Sequence, residues 1–223
     1  MSSTDWQTIH FFGVEIRDTM AMLTDLLISA VAFYAWYQLR KKQAHANRQR
    51  LYFQAHFLLM SLATFLGGVV GHGFSAYLGF AWKLPGWLLS MLSVTLLERA
   101  VIEQAGTILH KKFVRYLLVF NIMELLVFAA LAFGTLNFKF VEYHSAYGLL
   151  VVILGVGIAQ KINQPQAPLR YLFTGVLFGV LAACVFKLQI SLHPWFNYVD
   201  FSHVFLALSV FSFYRQATHQ ASV

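Results

Sequence analysis

Apolar residues in this chain come in long runs rather than in amphipathic stripes. Seven runs approach the ~20 residues needed to cross a bilayer core. They fall at about 18–39, 52–80, 85–105, 113–135, 140–160, 168–190 and 197–215. Each predicts a helix, because a segment in lipid must satisfy its own backbone hydrogen bonds. Gly67, Gly68 and Gly71 interrupt the second run, so its far end is expected to kink or unwind. Pro85 and Pro194 precede the third and seventh runs, where proline suits a first helical turn. The expected fold is all-α: an integral membrane protein with a single seven-helix transmembrane domain over residues 1–223, short loops and no second module.

Composition sharpens this. Hydrophobic residues make up 59% of the chain and charged residues only 11%, against ~25% charged in soluble domains. The one cysteine, Cys184, lies inside an apolar run, so no intrachain disulfide can form. The first 16 residues carry Asp5, His10 and Glu15 and lack a basic start. A cleaved secretory signal is therefore not expected, and the first apolar helix is read as a retained insertion signal. No internal repeat is visible, which weakens a transporter reading.

The net charge of +7 is distributed by side. Arg40, Lys41, Lys42, Arg48 and Arg50 lie between the first two runs, and Arg99, Lys111, Lys112 and Arg115 in or beside the third loop. Lys161 and Arg170 flank the fifth loop, and Arg215 ends the last run. The opposite ends hold only Arg17, Lys83, Lys139 and Lys187. Basic loops face the cytoplasm, so the N-terminus is expected outside and the C-terminus inside. The compact loops fit a bacterial inner (plasma) membrane. Membrane lipids are the expected surroundings. The charge forms no basic soluble face, so no nucleic-acid partner is expected. Oligomeric state is not legible, because lipid-facing and partner-facing apolar surfaces look alike.

Counting residues at 1.5 Å of rise puts polar groups from five helices at one level, the outer third. These are Asp18 and Asp25, then His72 with Ser75 beyond it, then Glu142 and His144, Lys187, and Asn197, Asp200 and His203. Ionisable groups at membrane depth are costly and point to function. Asp200 and His203 are i, i+3 and share a face. With His72, and His144 as a further candidate, they form a donor set for zinc, which takes three protein ligands at a catalytic site and makes water nucleophilic near neutral pH. Ser75 or Asn197 would steady a developing oxyanion, so Ser75, Asn197 and Asp200 are the catalytic candidates. This reading is a hydrolase acting on an amide or ester of a lipid-like substrate.

Plainer roles stand beside it. His72 can bond a carbonyl or headgroup water, and Asp200 can sit at a helix start because the dipole favours it. Asp200 and His203 can also form a neutralised structural pair. Glu142 is read as solvated, and Lys187 as snorkelling. Glu124 lies mid-membrane, either protonated or paired within the bundle. Glu98 and Arg99 pair or reach the inner interface, and His45, His56 and His110 are read as interfacial. A second function class is haem binding or electron transfer, with His72 and either His144 or His203 as axial ligands and the glycine run giving a flat cofactor access. A third is a small-ligand receptor or transporter using the same pocket. The last run has no lysine, which excludes a retinal Schiff base there.

The histidine late in helix 2 and the histidine-bearing cluster opening helix 7 resemble the alkaline ceramidase and adiponectin/progestin-receptor superfamily, seven-helix zinc hydrolases and suspected hydrolases. The resemblance implies zinc held by His72 and His203, with Ser75 as the nearby hydroxyl. It also likens Asp5-Trp6 to the acidic lead-in of ceramidases. The chain departs from that pattern. The helix 7 motif of the superfamily is H-x-x-x-H, whereas here N-Y-V-D-F-S-H has no second histidine. Gly68 stands where a serine is usual, and helix 3 lacks the outer aspartate. The third ligand is therefore expected from Asp200 or His144.

Overall fold

The computed structural model describes residues 7–41 and 47–220. Asp5, Trp6, Lys42 and His45 lie outside the described residues. Seven helices follow a small hairpin: α1 (Thr19–Lys41), α2 (Arg48–Gly73), α3 (Leu84–Gln104), α4 (Lys111–Thr135), α5 (Lys139–Asn163), α6 (Arg170–Lys187) and α7 (Tyr198–Gln220). The first six are long and apolar enough to cross a membrane, which marks an integral membrane protein. Seven spans were expected; seven helices are present, and six of them meet this length and composition criterion among the described residues. Helix α7 has the length, but Asp200, His203, Arg215 and Gln216 with its serines dilute its apolar run.

Helices α1 and α2 pack together, α2 packs on α3, and α7 pairs with α6 and closes against α1. Helix α5 lies between α3, α4 and α6, leaving α4 at the margin. Its outward side chains, including Tyr116, Phe120, Met123 and Leu126, are exposed, as a lipid-facing helix requires. One core joins Ile28, Ala32, Phe57, Leu97, Leu172 and Phe213 across the bundle. A smaller one, Met91, Leu125, Ala132 and Val141, fixes α4.

Two helices widen locally. Helix α2 ends in a π-helical turn over Gly67–Gly73 and α5 carries another over Gly148–Ile153. The first replaces the expected kink, and α2 stops well before residue 80. The glycines there are set by close approach. A Cβ on Gly68 would lie 2.9 Å from Asp25 Cβ and from the Met22 carbonyl, and one on Gly73 would strike Met22 Sδ. Helix α1 thus covers the glycine face of α2.

The hairpin was not anticipated by the sequence pattern. Strands β1 (Ile9–Phe11) and β2 (Val14–Ile16) pair antiparallel through Phe12 and Gly13, both with positive φ, the mirror-image turn that suits a two-residue loop. Arg17 donates its backbone N–H to Gly73 O at 3.0 Å, tying the hairpin to the end of α2. Its guanidinium bonds Glu15 at 2.7 Å and holds that carboxyl below its usual range. Asp18 then takes a left-handed conformation (φ 42°), tolerated by aspartate, and launches α1.

Candidate functional site

The start of α1, the end of α2 and the start of α7 meet at one end of the bundle. Asp25 comes from the second turn of α1, His72 from the π turn, and His203 from the second turn of α7. The two imidazole centroids are 6.4 Å apart. Asp25 stands between them: Oδ1 lies 3.7 Å from His203 Nε2 and Oδ2 lies 3.9 Å from His72 Nε2.

Hydrogen-bond partners hold both rings through Nδ1. Thr24 Oγ1 lies 2.9 Å from His203 Nδ1 and also 2.9 Å from the Met20 carbonyl. The hydroxyl has one proton, directed at that carbonyl, so Oγ1 accepts from His203 Nδ1–H. Nε2 then carries the lone pair and faces Asp25. On His72, Nδ1 faces Asp18 Oδ2 at 3.5 Å, and Nε2 faces Asp25. The Nε2 of each ring facing an oxygen of Asp25 is an arrangement that either a proton on the carboxyl or on a ring, or a cation between them, would satisfy. Tetrahedral zinc at ~2.1 Å from each ligand spaces its ligands roughly 3.4 Å apart. The two carboxylate–imidazole gaps of 3.7 and 3.9 Å are near that, but they use different oxygens of Asp25, and the trio as a whole is more open, with no one ligand atom from each lying within 4.8 Å of the other two. The orienting bonds on Nδ1 are those that metal-binding histidines use. By residue type alone, two imidazoles and a carboxylate match donor sets that bind divalent metals such as zinc.

Asp200 is not part of this group. Its Oδ2 accepts from the Asn197 backbone N–H at 2.7 Å and from Gln7 Nε2 at 3.1 Å. Asn197 Oδ1 in turn accepts from Val199 N–H at 2.7 Å. This is a reciprocal capping box. The short side chain folds back to the helix start, although it is one turn from His203. Ser75 lies in the turn after α2, its N–H donating to His72 O at 3.2 Å, and its hydroxyl makes no bond to the cluster. His144 is elsewhere. It is fully buried, with Nδ1 2.7 Å from Glu124 Oε1 and Nε2 3.0 Å from the Met91 carbonyl. The structure therefore brings His72 and His203 together, separates His144, Asp200 and Ser75 from them, and supplies Asp25 instead.

Other sequence expectations resolve similarly. Glu124 has His144 as its partner. Glu98 accepts from Asn121 Nδ2 at 2.8 Å rather than pairing with Arg99, which donates to the Leu118 carbonyl, to Asn121 and to the Tyr52 hydroxyl. Lys187 pairs with Glu142 at 2.5 Å. His56 is buried and not interfacial, with Nδ1 2.9 Å from both Ser93 Oγ and Ser93 O.

A cavity of ≈ 660 Å³ adjoins this cluster, lined by Gln7, Asp18, His72, Leu192, Asn197 and Tyr198 among others. It gives the exposed edge of His72 access to small molecules, and Asn197 sits on its wall.

The family of unknown function DUF6962 matches residues 20–222. The chain belongs to DUF6962. Comparison with curated proteins and with solved structures returned no match. The matched region contains Asp25, His72, His144, Asp200 and His203, so both polar clusters lie within the DUF6962 domain.

Proposed function

We propose that this DUF6962 protein is a metal-dependent intramembrane hydrolase acting on a lipid amide or ester, with Asp25, His72 and His203 holding zinc. The observation that carries the reading is that two imidazole Nε2 atoms from different helices converge on the two oxygens of Asp25. Bound zinc would polarise a carbonyl and lower the pKa of water toward neutrality. Asp18 and Thr24 orient the two rings. The adjoining cavity admits a headgroup-sized substrate, and Asn197 offers a side-chain amide on its wall. Ser75 has no contact that assigns it a part.

The superfamily resemblance named above supports the same reading through His72 and His203, with Asp25 of α1 as the third ligand where the chain lacks a second helix 7 histidine. The positive-inside bias supports an outward-facing N-terminus and a site near the outer leaflet, as in a bacterial plasma membrane. Haem is the second reading. It has less support, because Met22 and Asp25 cover the glycine face of α2.

The test is metal analysis by mass spectrometry on detergent-purified protein, beside a panel of lipid amides and esters. Wild type is expected to lose one zinc equivalent and all hydrolysis on His72→Ala, His203→Ala or Asp25→Asn. An equally active, folded His203→Ala protein would overturn the mechanism. A Soret band in the purified protein would favour haem.

A further inference from the structure

Between α3, α4 and α5, away from the outer cluster, Glu98, Glu124 and His144 place one ligand atom each within 4.8 Å of one another. Among the described residues no other group of histidine, cysteine, aspartate or glutamate closes this far. Glu98 and His144 are 0% exposed and Glu124 7%. One oxygen of each carboxylate is used: Glu98 Oε2 accepts from Asn121, and Glu124 Oε1 faces His144. The other two, Glu98 Oε1 and Glu124 Oε2, accept no hydrogen bond from the described residues. Buried carboxylate oxygens almost always have a partner.

The surroundings are arranged for a ligand. His144 donates Nε2–H to the Met91 carbonyl, which leaves Nδ1 turned into the cluster, the orientation in which outer-sphere bonds hold a metal-binding imidazole. Asn121 holds Glu98 and is itself held by Arg99. A Cβ on Gly148 would fall 2.3 Å from Glu98 Oε1, so only glycine lets that oxygen lie against α5. Gly148 also begins the π turn of α5, a distortion that often marks functional sites.

We propose that Glu98, Glu124 and His144 form a second, closed site for a divalent transition-metal ion that clamps α3, α4 and α5. Two carboxylates and a neutral imidazole balance a dication, so the loaded site carries no net charge, as burial demands. Oxygen-rich donors with one imidazole suit zinc, manganese or iron(II). All three residues are buried, so the ion is structural rather than catalytic. Loading releases the proton shared by His144 Nδ1 and Glu124, which makes binding weaken as pH falls.

The test uses full-length protein stripped with a chelator and titrated with Co²⁺, in a background carrying Asp25→Asn and His203→Ala so that the outer cluster is disabled. About one Co²⁺ per chain should remain bound, and be lost when Glu98→Gln and Glu124→Gln are added. X-ray absorption on the background protein itself should show an oxygen-dominated shell with a single imidazole, which keeps the test valid if the added substitutions prevent folding. No Co²⁺ in the background protein, retention after the glutamine substitutions, or a shell with two imidazoles would each overturn the proposal. Wild type binding no more Co²⁺ than the background would instead defeat the outer metal site and leave this one standing.

Discussion

The Asp200 carboxylate closes on the backbone N–H of Asn197 at 2.7 Å, one turn before the histidine it was expected to serve. Together with the Asn197–Val199 bond and the Gln7 amide, this fixes the start of α7. Asp200→Ala is therefore expected to destabilise the protein by about 1–3 kcal/mol, the cost of a lost cap and a stranded buried donor. Metal content should be unchanged. Thermal unfolding in detergent beside metal analysis separates the two effects, and loss of zinc with an unchanged melting temperature would return Asp200 to the ligand set.

Glycines in this bundle divide into two kinds. Gly68 has Asp25 Cβ and a Met22 backbone oxygen at 2.9 Å from its absent Cβ, whereas Gly134 in α4 has nothing within 4 Å. Gly68→Ala must push α1 from α2 at the residue between the two imidazoles, and should cost about 1–3 kcal/mol as overpacking. It should also weaken metal binding. Gly134→Ala meets no neighbour and should be neutral or stabilise by up to ~1 kcal/mol through helix propensity. Equal melting temperatures for the two variants would mean that α1 and α2 do not approach so closely.

The helices were legible because apolar length is a one-dimensional signal: the expected runs at 85–105 and 113–135 lie within two residues of α3 and α4. The run at 52–80 overshot because Phe74, Tyr77 and Leu78 continue its apolarity through a turn. Convergence of polar groups at one level was also legible, since rise per residue converts position into depth. Partner choice was not. Depth counting put Asp25 at the level of His72 and His203, but in its own apolar run no ionisable neighbour one turn away marks it as their partner; the Gly67-Gly68 pair that makes room for it lies on another helix. Asp200 and His203 share a helical face, but a side chain of one methylene at a helix start reaches its own backbone first. Glu98, Glu124 and His144 were assigned to different levels because long side chains bridge depths that backbone counting keeps apart.

Thr24 decides which nitrogen His203 offers. Its hydroxyl accepts from Nδ1–H while donating to Met20 O, so Thr24→Val removes the acceptor at nearly constant shape. Zinc affinity is expected to fall by roughly 10–100-fold, as for other orienting partners of ligand histidines, with little change in fold. Thr24→Ser keeps the hydroxyl and should restore most of the affinity. Competition titration with a zinc chelator measures both. Equal affinity for the valine and serine variants would show that His203 does not depend on this contact.

At the opposite end of the bundle, a neutral buried amide should outweigh an exposed ion pair. Gln216 is fully buried and joins α7 to the first turn of α6, accepting from Leu172 N–H at 3.1 Å and donating to Pro168 O at 3.0 Å. Leu169, which precedes α6, provides no side-chain cap, so Gln216 performs that task from another helix. Gln216→Leu would leave both backbone groups unpaired, at a cost of about 1–3 kcal/mol for each one left buried. The Lys187–Glu142 pair is shorter, but Lys187 is 57% exposed, and surface pairs contribute about 0–1 kcal/mol. Lys187→Met should therefore shift the melting temperature much less than Gln216→Leu, and the remaining shift should vanish at high salt. The reverse order would mean that α5 and α6 are held chiefly by charge at the membrane surface.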